Sequence, residues 1–340
     1  MVTIIGGGIA GTALAGALAR EGLPVTVYER RSAVGAGAFL TLDRRAHEAL
    51  GELGVDLGEL SAASQEVRAL GVHDVGGYRA LPGDGRRLYF RPDLMRVLTD
   101  FANGTAARFH YDRPLTDLDS ESGTLWVAGE SVTPDGPVIA ADGIDSLVRA
   151  RLEPDRPAVY ASQVVIYGVT TAAITLPTEQ SVLHFHRNGN ARPTDAFGHQ
   201  WSDETAVWFA RIRRPPIPVA DTGFHPVEGW ADQIHAALPA IPGLIDALLA
   251  VTDTVHVTNA RNVPLTHPLP PRDDVVLCGD ADHAITPAAG VGARDAIEDA
   301  AALYRALVAG TSIAEVMTTR RRDILAERAE VAEAFRRGRF

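Results

Sequence analysis

Apolar residues enter this chain as short runs broken by glycine. Val2, Ile4 and Ile5 form a run that ends in glycines, the pattern of a buried strand. Residues 9–21 are rich in alanine and leucine and predict a helix that stops at Gly22. Residues 25–28 are β-branched and predict a second strand, so the chain opens as strand, glycine turn, helix, strand. Residues 35–110 read as helices (44–53 and 92–102) between glycine-rich loops, and residues 108–140 as short strands. The pattern then changes. Residues 164–170, 181–186 and 206–213 carry strand alternation with aromatics, two helices follow over 226–237 and 242–251, and residues 254–260 lead back as a strand. Residues 274–277 return to a buried strand, and helices are expected over 292–309 and 313–335. The pattern predicts an α/β fold with an inserted antiparallel sheet. Residues 155–262 form the insert, between two halves of a first domain at 1–154 and 263–340.

Composition narrows the chemistry. The 340 residues are 46% hydrophobic and 22% charged, an ordinary globular mix long enough for about two domains. A net charge of −11 repels phosphate backbones, so no nucleic-acid partner is expected. With one cysteine, Cys278, an internal disulfide, a cysteine zinc site and a CxxC pair are all excluded, and no metal is expected. All 32 Lys+Arg residues are arginine, which excludes a pyridoxal Schiff base and a Walker lysine. Redox chemistry must therefore come from a bound cofactor. The opening residues lack a signal-peptide pattern and no run approaches the length of a membrane span, so a cytoplasmic setting without membrane association is expected.

Gly6, Gly8 and Gly11 stand as GxGxxG between the first strand and the first helix. Gly6 permits a tight turn, Gly8 lets backbone amides approach a pyrophosphate, and Gly11 lets the helix pack on the sheet. The first-turn amides, those of Ile9 and Ala10 among them, then face the phosphates with the positive end of the helix dipole. Glu29 closes the second strand 18 residues after Gly11, where a carboxylate can accept both ribose hydroxyls. The turn alone does not separate FAD from NAD(P). The carboxylate disfavours a 2′-phosphate in this slot. Arg30 can reach the pyrophosphate or stack on adenine, or simply lie in solvent; for Arg31 the solvated reading is the stronger.

Two later segments add to this. Ala141-Asp142-Gly143 through Ser146 and Arg149 reads as a strand end, a tight turn and a helix start. Gly279-Asp280-Ala281-Asp282-His283, then Pro287 and Gly290-Val291-Gly292-Ala293, reads as a strand end, a loop able to lie against a flat ring, and a helix whose positive end points back at that loop. In this order the three motifs resemble those of the single-component FAD-dependent aromatic hydroxylases, the para-hydroxybenzoate-hydroxylase-like monooxygenases, across nearly the whole chain. The resemblance implies a Rossmann-like FAD-binding domain of the GR2 type. It implies that Gly6, Gly8 and Gly11 line the pyrophosphate, that Glu29 binds the ribose, and that Arg91 contacts FAD. It also implies that Leu115 meets adenine through its backbone, that Asp142 supports the pyrophosphate and the nicotinamide approach, and that Asp280 holds the ribityl chain. Pro287, Gly290, Val291, Gly292 and Ala293 would wrap the isoalloxazine. The implied reaction uses FAD with NADH or NADPH as transient reductant and O2 as co-substrate. It hydroxylates or epoxidises a small aromatic or polyketide-like substrate through a C4a-hydroperoxyflavin. A dehydrogenase or reductase on the same fold, and a non-catalytic FAD-holding protein, are the alternatives. Arg44-Arg45 departs from the Pro-Asn pair frequent in the family.

No motif decodes the substrate, and no catalytic acid or base stands out. His283 and Pro287 are the candidates in the flavin loop, with an orienting role favoured for His283. His184 and His186 alternate along a strand and share a face; they read as core or surface residues, with a place in the substrate pocket as the functional reading. Trp208 falls on the other side from its neighbours, and one side of the middle sheet should roof the flavin.

Overall fold

The computed structural model describes residues 1–32, 37–74, 76–187, 196–203, 205–238, 240–286 and 290–336. The first segment runs β1 (Val2–Ile5), α1 (Ile9–Arg20), β2 (Val25–Tyr28), β3 (Phe39–Leu42), α2 (Arg44–Leu53), α3 (Leu57–Ala62), β4 (Gln65–Glu66), β5 (Ala69–Asp74), β6 (Gly77–Pro82), β7 (Arg87–Phe90) and α4 (Arg91–Asn103). Next come β8 (Arg108–His110), β9 (Leu115–Leu118), β10 (Leu125–Val127), β11 (Glu130–Val132), β12 (Val138–Ala140) and α5 (Leu147–Leu152). The middle block holds β13 (Val159–Val169), β14 (Val182–Arg187), β15 (Ala196–Ser202), β16 (Thr205–Arg213), β17 (Gly223–Pro226), α6 (Glu228–Ala237), α7 (Pro242–Leu249) and β18 (Thr254–Asn262). The chain closes with β19 (Val275–Leu277), the short α8 (Asp280–His283), α9 (Gly292–Ala309) and α10 (Ile313–Arg336).

A five-stranded parallel sheet, in the order β19-β12-β1-β2-β8, joins strands from early and late in the chain. Helix α1 is buried along almost its whole length because alanines and glycines let it approach its neighbours closely: a Cβ on Gly16 would lie 2.5 Å from the Phe101 ring. Val27, Ile139 and Val276 of this sheet share one apolar core with α1, α4 and α9. Its other face packs on the three-stranded sheet β11-β10-β9.

The second large sheet has eight strands, β17-β18-β13-β16-β15-β14-β5-β6. The strands of the middle block pair antiparallel, but β14 pairs with β5 in parallel, which makes the sheet mixed rather than purely antiparallel. Strands β5 and β6 lie in the stretch that reads from sequence as helices and glycine loops. They carry little alternation because β6 is an edge strand exposed at every residue, and edge strands lack the buried face that writes a period of two into a sequence. Strands β3, β7 and β4 form a small sheet between the two large ones. Among the described residues no helix is long and apolar enough to cross a membrane.

Candidate functional site

Strand β1 has β12 on one side and β2 on the other, so the chain leaves it in opposite directions and a crevice opens at its carboxyl end. The cleft there has a volume of about 280 Å3 and is lined by Gly6, Gly8, Glu29, Arg30, Arg91, Leu115 and Asp142, seven of the residues singled out from sequence. Gly6 takes φ +102°, and a Cβ there would fall 2.4 Å from the carbonyl oxygen of Ala141. A Cβ on Gly11 would fall 2.0 Å from the Gly6 oxygen, so the helix start and the turn are in backbone contact. At Gly8 no atom of the described residues lies within 4 Å of that position, which leaves the cleft wall open there. Among the described residues helix α1 has neither a side-chain cap at Gly8 nor an acidic residue in its first turn, which leaves its N-terminal amides without a side-chain cap.

Glu29 is engaged locally. One oxygen accepts the Gly7 amide at 2.7 Å and the other the Arg31 amide at 2.9 Å. A carboxylate has four lone-pair sites, so two remain to face the cleft. Asp142 accepts the Leu147 amide at 2.9 Å through Oδ2, while its buried Oδ1 has no partner. Burial pushes its pKa up against the hydrogen bonds from Ser146 and from backbone amides. An orphaned acceptor beside uncapped amides and the arginines Arg30, Arg31 and Arg91 fits a ligand bearing both hydroxyl and phosphate groups. Tyr28, stacked on His110 at 5.3 Å, and Arg31 also line the cleft. Tyr28 was missed in the sequence because it alternates outward from a strand whose other residues read as core.

Arg91, at the start of α4, lies between the cleft and the second glycine segment. Arg91 lines the cleft and faces Asp280, Glu29 and Arg31; burial lowers its pKa, and Asp280 and Glu29 act against that. Asp280 is crowded by protein yet keeps an exposed side. Burial raises its pKa, and the charges of His283 and Arg91 oppose the rise. A Cβ on Gly292 would lie 3.9 Å from Asp280 Oδ1, so the N-terminus of α9 (Val291, Gly292, Ala293) points at this carboxylate. Gly290, at φ +63°, approaches Thr41 of β3. Pro287 lies outside the described residues. His283 is buried away from the crevice with its Nε2 2.6 Å from Asp299 Oδ2, in keeping with an orienting contact rather than an open one. Asn262 Oδ1 accepts the Thr286 amide at 2.7 Å and ties the end of β18 to this loop; neither Asn262 nor Asp299 carries a motif that marks it.

The eight-stranded sheet separates two faces. His184 registers with His199 and His199 with Trp208, so these residues share a face. Trp208 lies in a core with Phe197, Ile234 and Ile245, under α6 and α7, and donates to Thr252 Oγ1 at 3.0 Å. His184 and His186 stack with His73 and His199 on that same face. The three residues proposed from sequence for the substrate pocket therefore lie on the helix side of the sheet. The face that meets β3 carries the alternate residues: Tyr167, with Phe39 edge-on at 5.4 Å, and Phe185 against Phe209 at 6.0 Å. This correction follows from the period of two: the sequence shows which residues share a face and is silent on which face meets the loop. On the β3 side, buried polar atoms without partners recur at Gln163 Oε1, Gln200 Oε1 and His256 Nδ1. Among the described residues no group of three or more His, Cys, Asp or Glu is placed to hold a metal ion.

The FAD binding domain family model matches residues 1–337. A kynurenine 3-monooxygenase of Salinispora arenicola is 30% identical over 91% of this chain and 72% of its own length. Among solved structures, 2-methyl-3-hydroxypyridine-5-carboxylic acid oxygenase superposes with a TM-score of 0.75 at 21% identity, covering 94% of this chain and 85% of the other. The 2,6-dihydroxypyridine-3-hydroxylase of Arthrobacter nicotinovorans gives 0.74 at 19% identity, covering 94% and 86%. With the family model spanning nearly all of its length, the chain belongs to the FAD-dependent monooxygenases of the single-component aromatic hydroxylase family, and its cofactor is FAD.

Proposed function

We propose that this protein hydroxylates a small polar aromatic compound, with NADH or NADPH as reductant and O2 as oxygen donor. The observation that carries the substrate class is the β3-facing side of the eight-stranded sheet. Tyr167, Phe185 and Phe209 supply flat apolar surface, and Gln163, Gln200 and His256 each keep a buried polar atom with no protein partner. Such groups cost free energy unless a ligand or water satisfies them, so the pocket calls for a ring with hydrogen-bonding substituents. Residues 1–154 and 263–340 would hold the cofactor, and residues 155–262 together with β5 and β6 would roof the substrate.

In this reading the turn at Gly6, Gly8 and Gly11 and the amides of Ile9 and Ala10 bind the pyrophosphate. Glu29 holds the ribose, Leu115 borders adenine, and Arg30 and Arg91 neutralise phosphate charge. Asp280 receives ribityl hydroxyls, and Gly290, Val291, Gly292 and Ala293 hold the ring under the sheet. The flavin, when bound, supplies the hydride acceptance and oxygen activation. The chain's part is to orient the substrate ring, to exclude water with the aromatic face, and to place the α9 N-terminus where negative charge gathers on the cofactor. His256, whose pKa burial lowers, stays neutral and can exchange a proton with a bound phenol.

The test is product mass under 18O2, with kynurenine, hydroxypyridine carboxylates and salicylate as the first panel. Substrate-stimulated NAD(P)H oxidation with one labelled oxygen in the product is expected. Stimulated oxidation with no label would instead make the protein a dehydrogenase, and background oxidation with the whole panel would overturn the polar-aromatic reading.

A further inference from the structure

The buried carboxylate of Asp299 on α9 makes no contact with the crevice, yet it holds both ends of the turn that presents Asp280. Its Oδ2 accepts the Gly279 amide at 3.0 Å and meets His283 Nε2 at 2.6 Å. Its Oδ1 accepts Arg320 Nε of α10 at 2.9 Å. Asp280 lies between Gly279 and His283, so a single oxygen brackets it on both sides. Gly279 takes φ +61°, and a Cβ there would lie 2.8 Å from Ala296 Cβ, one helical turn before Asp299. The rest of the turn is tied inward as well. Arg156 and Arg321 hold the Asp282 carboxylate at 2.8 and 2.7 Å, and Arg328 donates to the His283 carbonyl at 2.8 Å. Among the described residues the Asp280 carboxylate is the one carboxylate of α8 left exposed, with no hydrogen-bond partner.

We infer that Asp299 is the positioning residue of the cofactor site, acting through the Gly279 amide and the His283 ring to aim Asp280 at the FAD polyol, with Arg320 making the terminal helix part of that assembly. The physical reason is cost. A carboxylate with 0% exposed side chain is expensive to bury unless it is paired and hydrogen-bonded, and two of its three partners, the Gly279 amide and the His283 ring, belong to the one turn whose remaining carboxylate faces outward. Burial by itself would lower the pKa of His283, but Asp299, together with Asp282 and Asp295, raises it. Asp299 itself stays ionised because His283 and Arg320 outweigh its burial.

The inference rests on FAD being the ligand of Asp280, and a double-mutant cycle on FAD affinity tests it separately from activity. Apo-protein is titrated with FAD by flavin fluorescence for the wild type, Asp280→Ala, Asp299→Asn and the double variant. Asp299→Asn should weaken FAD by roughly 10-fold, the order of one well-placed hydrogen bond. In the Asp280→Ala background the same change should cost less than about 2-fold, because two residues acting through one contact do not add. His283→Gln, which removes the ring without leaving a buried carboxylate unpaired by Arg320, is run through the same cycle and carries the test if Asp299→Asn does not fold. Additive losses, or unchanged FAD affinity in folded His283→Gln, would overturn the inference. Failure of the wild-type apo-protein to bind FAD at all would instead strike at the assignment of Asp280 to the cofactor.

Discussion

The two large sheets build their sites in different ways. At the end of β1 the crevice is made of backbone: glycines at van der Waals contact, uncapped helix amides, and carboxylates that hold turns in place. On the eight-stranded sheet the site is made of side chains, and what a residue does depends on which way it points. Trp208 and Phe209 are neighbours in the chain. One is sealed under helices, and the other rests flat where Gly198 makes room for it; a Cβ on Gly198 would lie 2.3 Å from the Phe209 ring. A backbone site tolerates almost no change at its contact points, whereas a side-chain site can change its ligand while its scaffold is kept.

The largest loss of cofactor should come from the backbone site. Gly11→Ala forces a methyl into the Gly6 carbonyl, which neither backbone can relieve, so FAD affinity should fall at least ~100-fold, close to 2.7 kcal/mol. Retention of the flavin absorbance band after gel filtration would show that the contact can relax. Gly8→Ala sharpens the point: with nothing within 4 Å in the chain, it should leave the apo-protein's melting temperature nearly unchanged and still weaken FAD.

On the sheet, Trp208→Ala should cost about 3–5 kcal/mol of stability through the cavity it leaves. Denaturant unfolding measures this, and a loss confined to substrate KM would move Trp208 back into the pocket. Acid should find the same face. Burial, and then the neighbouring histidines, lower the pKa of His186 to about 3 and of His199 to about 2. These rings are neutral in the fold and gain protons near 6.5 when unfolded. Stability should therefore be flat above about pH 6.5 and fall as pH drops toward 3, by on the order of 1 kcal/mol per pH unit for each ring. His186→Phe should flatten that slope by one proton; an unchanged slope would mean that carboxylates alone set the acid limit. His283 has the opposite sign, since its raised pKa gives stability below about 6.5 that is lost as pH rises through the folded value.

The smallest effect is expected at the pocket itself. Tyr167→Phe should raise substrate KM by roughly 3- to 10-fold, the worth of one hydrogen bond, with FAD affinity and melting temperature unmoved. Equal loss of FAD affinity would show that Tyr167 holds the cofactor rather than the substrate.

Much of the cofactor crevice was legible in the amino-acid sequence. Gly6, Gly8 and Gly11 sit at fixed short spacings because a turn closes within a few residues and needs particular residue types to do so, and Asp142 falls in a short turn motif of its own. The same holds for the helices at 44–53 and 292–309, which appear with the bounds expected of them. What the tertiary structure alone decided is everything that depends on distant partners. Strands β5 and β6 join a sheet far along the chain, His184, His186 and Trp208 turn to the helix side, and Asp299 reaches back 20 residues to Gly279. Local spacing encodes backbone conformation, because dihedral preferences act over a few residues. It does not encode which face of a sheet is covered by which element, because that is settled by packing between segments that the chain brings together only on folding.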